Sequence, residues 1–218
     1  MAKGLMALQE RPAGEMNLVG GRLFLDFVNT VGARHTLPPH GTRLCDDKLK
    51  VYLDLLAWGL HVKLLSRAEA KLLLRESGRL PREASAVHRR AVRLREAIHH
   101  LCNAILANAN PKQADLDVLN QELHIAHNVE RLVGDKAVFS FEWNAPVSAL
   151  DRVLWFITRS AAEWLTRGDL SRLRECEGED CGWVFEDTSR NRSRQWCDMS
   201  DCGNRAKIRR FRMRQRMA

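Results

Sequence analysis

The 218-residue chain has no apolar run long enough to span a bilayer, and its first fifteen residues lack the apolar core of a signal peptide. We therefore expect a cytoplasmic protein with no membrane partner. Glycine and proline are scarce, at 13 and 6 residues. Their scarcity argues against an all-β sandwich or barrel and, with abundant Leu, Ala, Arg and Glu, favours helices.

The sequence also lacks the local motifs of common enzyme classes. It contains no G-x-S-x-G, no phosphate-binding P-loop and no H-E-x-x-H. His124 and His127 would share a helix face, which could hold a metal weakly, but solvent-facing side chains are the favoured interpretation. We predict that the chain is not an enzyme.

Positive charge is concentrated at one end of the chain. The net charge is +8, and all of it falls in residues 188–218, where ten basic residues accompany two acidic ones. A neutral body with a basic end is typical of a protein that binds a polyanion. Nine of the ten are arginine, which suits phosphates and guanine edges. The candidate nucleic-acid-binding residues are Arg190, Arg192, Arg194, Arg205, Lys207, Arg209, Arg210, Arg212 and Arg214.

The six cysteines divide into two isolated residues and two pairs. Cys45 and Cys102 are expected to be small buried hydrophobic residues. The other four form two C-x4-C pairs separated by fifteen residues, a spacing typical of a structural zinc site. Disulfides are not expected in a reduced compartment, and the segment has no histidine. We predict one structural Zn²⁺ per chain, held by Cys176, Cys181, Cys197 and Cys202.

Hydrophobic periodicity predicts a mainly α-helical first domain over residues 18–168, preceded by a loose segment at 1–17. One helix begins near Gly21, and Ser66 with Glu69 forms a capping box for another. A heptad seam predicts that the longest helix packs lengthwise against a neighbour. The other helices are predicted at 47–59, 66–77, 82–108, 112–127 and 147–167.

A small β-hairpin interrupts the helices. Its turn is predicted at residues 134–136, with Phe139, Phe141 and Trp143 on one face of the second strand. Gly168 is expected to cap the last helix of the domain, and we place the domain boundary directly after it. The arginines between residues 82 and 95 are interpreted as a solvated helix face.

The second domain, residues 170–216, is predicted to be a small treble-clef-like or ribbon-like zinc module that ends in a basic helix. A short strand at 170–175 leads into it, and Trp183–Phe185 form a second strand that covers the metal. Ile208 and Phe211 lie three residues apart in the final helix. We expect both side chains to dock on the zinc core.

Two stretches resemble known families. FEDTSRNRSRQWCDMSDCGNRAKIRR resembles the CGNR zinc finger, named for the string Cys202–Arg205. GGRLFLDFVNT resembles the opening motif of the helical domain that accompanies it, called ABATE, with Phe24 in place of an expected cysteine. The resemblance implies a bacterial transcription regulator that is induced by stress.

These observations predict a regulator that binds duplex DNA through its zinc module and arginine-rich helix. The alternative is an RNA- or ribosome-associated zinc protein. Splayed RNA bases need aromatic stacking platforms. Only Trp196 and Phe211 lie near the basic residues, and both are expected in the core, which favours duplex DNA.

A small-molecule effector is a further partner considered, and a homodimer is left open. Polar residues on one face of the first helix and nearby tryptophans are the ingredients of a pocket. Caps and helix contacts around ordinary core tryptophans are the favoured alternative. The candidate ligand-binding residues are Arg22, Asp26, Asn29, Thr30, Arg34 and Trp58.

Overall fold

The structure is a computed structural model that describes residues 2–34 and 46–216, with side chains from residue 6 onward. It is mainly helical with two antiparallel hairpins, which confirms the predicted fold class. The helices are α1 (Ala2–Gln9), α2 (Leu23–Val28), α3 (Tyr52–His61), α4 (Arg67–Arg79), α5 (Pro81–Leu106), α6 (Gln113–Asn128), α7 (Arg152–Arg167) and α8 (Asn204–Arg216). The strands are β1 (Glu130–Asp135), β2 (Val138–Trp143), β3 (Leu173–Glu175) and β4 (Val184–Glu186). None of the described helices is both long and apolar enough to cross a membrane.

The N-terminal segment is ordered, so the expectation of a loose segment at 1–17 was wrong. Helix α1 and a 3-10 turn at Pro12–Gly14 pack against α3, where Arg11 pairs with Asp54 at 2.5 Å. An eight-residue helix is marginal by itself, so tertiary contacts decide its order. The buried side chains of this segment are Leu8, Ala13 and Met16.

Helix α5 is the centre of the helical body. Its seam residues Ala91, Leu94 and Ile98 are buried, and α6 packs along it, which confirms the predicted lengthwise packing. The capping box at the start of α4 is also confirmed, since Ser66 and Glu69 exchange both hydrogen bonds.

The predicted hairpin exists, but its turn lies further along the chain than residues 134–136. Gly134 pairs with Phe139 inside the ladder, and the turn residues are Lys136 and Ala137, with φ of 45° and 66°. Two successive positive φ values are typical of a type I′ turn, which usually carries Asn or Gly. Lys136 and Ala137 are neither Asn nor Gly, so the sequence did not indicate a turn at these two residues.

The C-terminal segment shares a core with the helical body. Leu173 on β3 and Val184 on β4 are buried in the same hydrophobic cluster as the helices, and β4 packs on α2. A second cluster holds the four cysteines around Phe185, and Trp183 contacts both clusters. Gly168 caps α7 as expected, but with φ of −77°. Glycine fits there because a Cβ would lie 2.5 Å from the Trp164 carbonyl oxygen.

Candidate metal centre and nucleic-acid interface

The four predicted cysteine ligands come together in one buried cluster. One sulfur from each of Cys176, Cys181, Cys197 and Cys202 lies within 4.8 Å of the others. The Cys181–Cys197 and Cys197–Cys202 sulfur pairs are 3.6 Å apart. A tetrahedral site with metal–sulfur bonds of about 2.3 Å requires sulfur separations near 3.8 Å. The cluster therefore fits a structural metal ion with four thiolate ligands.

Neighbouring donors favour negative charge on two of these sulfurs, those of Cys176 and Cys202. The amides of Gly178 and Cys197 donate to the Cys176 sulfur at 3.4 and 3.2 Å. The side chains of Cys181 and Cys197 lower the pKa of Cys176, and the same coupling raises the pKa of Cys181 and of Cys197. Arg205 donates to the Cys202 sulfur at 3.1 Å. Such donors orient and stabilise thiolate ligands of a metal.

Local chain geometry places each cysteine pair. Strand β3 ends at the first ligand, where the Cys176 amide donates to the Trp183 carbonyl at 2.8 Å. The second pair spans a short π-helical turn at Met199–Gly203, which Asp198 caps by accepting from the Ser200 amide. A Cβ at Gly203 would lie 2.4 Å from the sulfur of Met199, so a larger residue beside the last ligand would require this exposed side chain to move.

Two of the predicted nucleic-acid arginines are bound within the protein. The Arg194 guanidinium stacks 4.1 Å from the centre of the Phe185 ring and donates to the carbonyls of Val19, Trp196 and Cys197. Arg192 donates to Ser171 and Asp169 next to α7. Their role in the structure is to fix the loop before the third ligand, although Arg192 and Arg190 remain exposed.

The basic residues of α8 differ in how they are held. Arg205 pairs with Asp201 at 3.2 Å as well as with the Cys202 sulfur, and Arg209 pairs with Glu179. Other exposed cations have no ion-pair partner within the described ranges 2–34 and 46–216: Arg190, Lys207, Arg210, Arg212, Arg214 and Arg216.

Helix α8 is exposed on every side. No residue of Asn204–Arg216 is buried, and the helix packs chiefly on the π-helical turn before it. The expectation that Ile208 and Phe211 dock on the zinc core was wrong, since they are 50% and 61% exposed. The side chains that pack on the cysteine cluster instead include those of Phe185, Trp183 and Trp196.

The predicted polar face of α2 lies against the zinc module. The Asn29 side chain donates to the Val184 carbonyl at 2.8 Å and accepts from the Val184 amide at 3.0 Å. The Asp26 carboxylate accepts from the Gly20 amide at 2.8 Å, and the Gly20 carbonyl accepts from the Glu186 amide at 2.9 Å. This face therefore joins α2 to strand β4.

Arg22 extends the same contact. It donates to both carboxylate oxygens of Glu186 at 2.5 and 3.2 Å, and Trp164 of α7 donates to the same carboxylate at 3.0 Å. Trp183 of the module donates to the Val31 carbonyl at 2.8 Å. The segment from Gly20 to Val31 is thus bonded to the module along its length.

Thr30 and Arg34 belong to a buried ion-pair network. Arg95 is fully buried and donates two hydrogen bonds to the Asp47 carboxylate, at 2.7 and 2.8 Å. It also donates to Thr30 and Glu96. Arg34 donates to the same Glu96 carboxylate at 2.9 Å. Burial raises the pKa of Glu96, but Arg34 and then Arg95 outweigh it and hold the pKa at about 2.

The prediction of a solvated arginine face on α5 is confirmed for Arg82, Arg89 and Arg93, which are exposed, and wrong for Arg90 and Arg95. Arg95 is buried, and Arg90 pairs with Glu122 and Asp151 on neighbouring elements. The carboxylates of Glu122, Asp47 and Asp151 lie 32, 48 and 61 residues from the arginines that they bind, so no local charge pattern could reveal them.

The remaining sequence candidates lie in the body. Trp58 and Trp155 are buried among core side chains, and Cys102 is buried as expected. Cys45 lies outside the described residues. His124 and His127 are exposed, as the favoured interpretation predicted. The side chains of Arg22, Asp26 and Asn29 form hydrogen bonds within the chain. Binding of a small molecule by the candidate ligand-binding residues stays a prediction.

The sequence did not indicate two carboxylates that hold the zinc module in place. Glu186 joins Arg22 and Trp164, and Asp187 accepts from the amides of Ser189 and Arg194, which shapes the basic loop. The spacing Asp-x-Ser is a recognisable turn signal for Asp187. Glu186 gives no local signal, because its partners are distant.

A helical body joined to a small four-thiolate metal module defines a two-part zinc-finger protein. Residues 172–215 match the family model of the CGNR zinc finger. Residues 21–168 match the ABATE model, described as "Putative stress-induced transcription regulator". That match covers more than half of the chain, so the chain belongs to the ABATE family, as the sequence resemblance predicted. No curated protein is significantly similar to it.

Proposed function

We propose that the chain is a transcription regulator that binds duplex DNA through α8, with one Zn²⁺ as the structural metal. Membership of the ABATE family and the zinc-finger match support a regulator. The proposal assigns no catalytic step to the protein. The observation that carries it is α8 itself, a helix exposed on all sides whose cations Lys207, Arg210, Arg212 and Arg214 have no ion-pair partner among the described residues.

Zinc is the metal that the ligand set favours. Four thiolates in a tetrahedron suit Zn²⁺, and a closed set of ligands leaves no position for a reacting water. When bound, zinc supplies folding energy to the module. The chain's own donors, Arg205 and the amides of Gly178 and Cys197, hold the sulfurs in place.

The shape of α8 supports duplex DNA over RNA. A single projecting helix fits the major groove of B-DNA, about 12 Å wide, whereas the major groove of an RNA duplex is too narrow for it. Trp196 packs on the metal cluster as expected, whereas Phe211 is exposed and could stack on a base. One exposed phenylalanine on a convex helix still offers no platform for several splayed bases.

Salt dependence of DNA binding tests the proposal. Replacing Arg210, Arg212 and Arg214 together by Gln should weaken binding to every duplex and reduce the slope of log K against log salt by up to about three. The control replaces three exposed arginines of the helical body by Gln: Arg67, Arg82 and Arg93.

The control has the same change in net charge, so an equal loss in both triple variants would mean that α8 is not the binding site. Fluorescence anisotropy on labelled duplexes provides the measurement. Absence of binding by the zinc-loaded protein to any duplex at low salt would reject the proposed function.

A further inference from the structure

Exposed apolar side chains on α8 have no role in the fold. Ile208 and Phe211 are 50% and 61% exposed and pack on neither hydrophobic cluster. Isolated exposed apolar residues are ordinary, but two on one face of a charged helix form a patch suited to a partner. This patch is the starting point of the inference, which rests on the proposed function.

Helical geometry adds two amides to the same face. With 100° per residue, Asn204, Ile208, Phe211 and Gln215 fall within an arc of about 60°. The face is about 16 Å long at 1.5 Å per residue. All four residues are exposed. Met213, a third exposed apolar side chain, points to the opposite side of the helix.

Cations flank this face on both sides. Lys207 and Arg214 lie on one flank and Arg212 on the other, and none has an ion-pair partner in the described parts of the chain. An apolar strip between two basic edges is electrostatically complementary to a groove between two rows of phosphates. The charge therefore favours a nucleic-acid duplex over a second copy of this equally basic helix.

The side chains of the face suit one kind of base pair. Asn and Gln bond in a bidentate manner to adenine in the major groove, and apolar side chains contact the methyl group of thymine. We propose that the face formed by Asn204, Ile208, Phe211 and Gln215 reads A·T base pairs in the major groove. Ile208 and Phe211 contact thymine C5-methyl groups, and the flanking cations hold the phosphates.

Deoxyuridine provides the test, because it differs from thymidine only by that methyl group. Binding is compared on two 20-base-pair duplexes of the same alternating sequence, one of dA and dT and the other of dA and dU. Each buried methyl should change affinity about fourfold. The wild-type protein should therefore bind the dT duplex at least about fourfold more tightly, and the I208A/F211A variant should bind both equally.

Met213→Ala is the matched control, since it removes an exposed apolar side chain from the other side of α8. It should keep the wild-type preference for dT. Zinc content and circular dichroism check the fold, and the single variant Phe211→Ala replaces the double variant if that variant loses its metal.

The outcomes separate this inference from the proposed function. Equal binding of both duplexes by the wild-type protein, or an unchanged preference in I208A/F211A, would overturn the inference and leave DNA binding intact. Loss of an oligomer by sedimentation in I208A/F211A, with the dT preference unchanged, would assign the pair to self-association instead. Failure to bind any duplex would reject both proposals.

Discussion

Replacing Asn29 by Ala should destabilise the helical body and the zinc module together. Asn29 is 1% exposed, and its amide bonds to both backbone groups of Val184, which is fully buried. Asn29 lies just after α2 in the helical body, and Val184 lies in β4 of the metal module. The variant therefore removes a direct bond between the two parts without touching a metal ligand.

The magnitude follows from the two groups left without a partner. A buried amide or carbonyl that loses its hydrogen bond costs about 1–3 kcal/mol. Two such groups give a loss of about 2–6 kcal/mol, a large share of a total stability of about 5–15 kcal/mol. For a chain of this size, 3 kcal/mol lowers Tm by about 6–12 °C.

Urea unfolding followed by two probes tests this prediction. Far-ultraviolet circular dichroism reports mainly the helical body, which holds α1–α7, and zinc release to a chromophoric indicator reports the module. Both transitions should shift together to lower urea. Asn128→Ala is the control, because that amide is exposed and contacts only the ring of His124, so its effect should stay within about 0.5 kcal/mol.

The reasoning fails if Asn29→Ala changes the free energy of unfolding by less than 1 kcal/mol, since the Val184 groups would then have found other partners. It also fails in part if zinc release shifts while the circular dichroism transition does not. That result would show two parts that unfold independently, as the sequence boundary after Gly168 implies.

Three further predictions concern the metal and a partly buried histidine. Cys197→Ser should reduce bound zinc well below one equivalent per chain, as measured by metal analysis. Arg205→Lys should weaken zinc binding in chelator competition by about 10- to 100-fold, because lysine cannot donate to the Cys202 sulfur in the same geometry, whereas Arg216→Lys should not. Burial lowers the pKa of His99 from 6.5 to about 3, so the unfolded chain takes up a proton before the folded chain does. Stability should therefore fall as pH decreases from 6.5 towards 3, by about 2 kcal/mol at pH 5, and His99→Leu should remove this part of the pH dependence in urea titrations.

The features that the sequence predicted correctly are those that depend on residues close together in the chain. The C-x4-C pairs predicted the four clustered cysteines because each pair comes from one short turn. The capping box at Ser66 was predicted for the same reason, since Glu69 lies three residues away. The heptad seam of α5 was predicted because its apolar residues repeat along a single helix.

Sequence reasoning failed where the partner is distant or where burial depends on the whole fold. Arg95 was interpreted as solvated because Asp47, its partner, lies 48 residues away. Ile208 and Phe211 were assigned to the zinc core from their spacing alone. Spacing shows that two side chains share a face, but it does not show what that face meets.

The stretch that carries the family resemblance, Gly20 to Thr30, explains why the two parts occur as one unit. Its polar side chains form hydrogen bonds within the chain. Asn29 bonds to the backbone of β4, and Thr30 accepts a hydrogen bond from the buried Arg95. Strand β4 leads directly to the loop and turn that carry the last two ligands, and α8 follows the last ligand without a linker. The position of the basic helix is therefore determined through the metal cluster and β4 by the first helix of the body. Any change that shifts the backbone around Asn29 must break its bonds to Val184 or move the basic helix α8 with it.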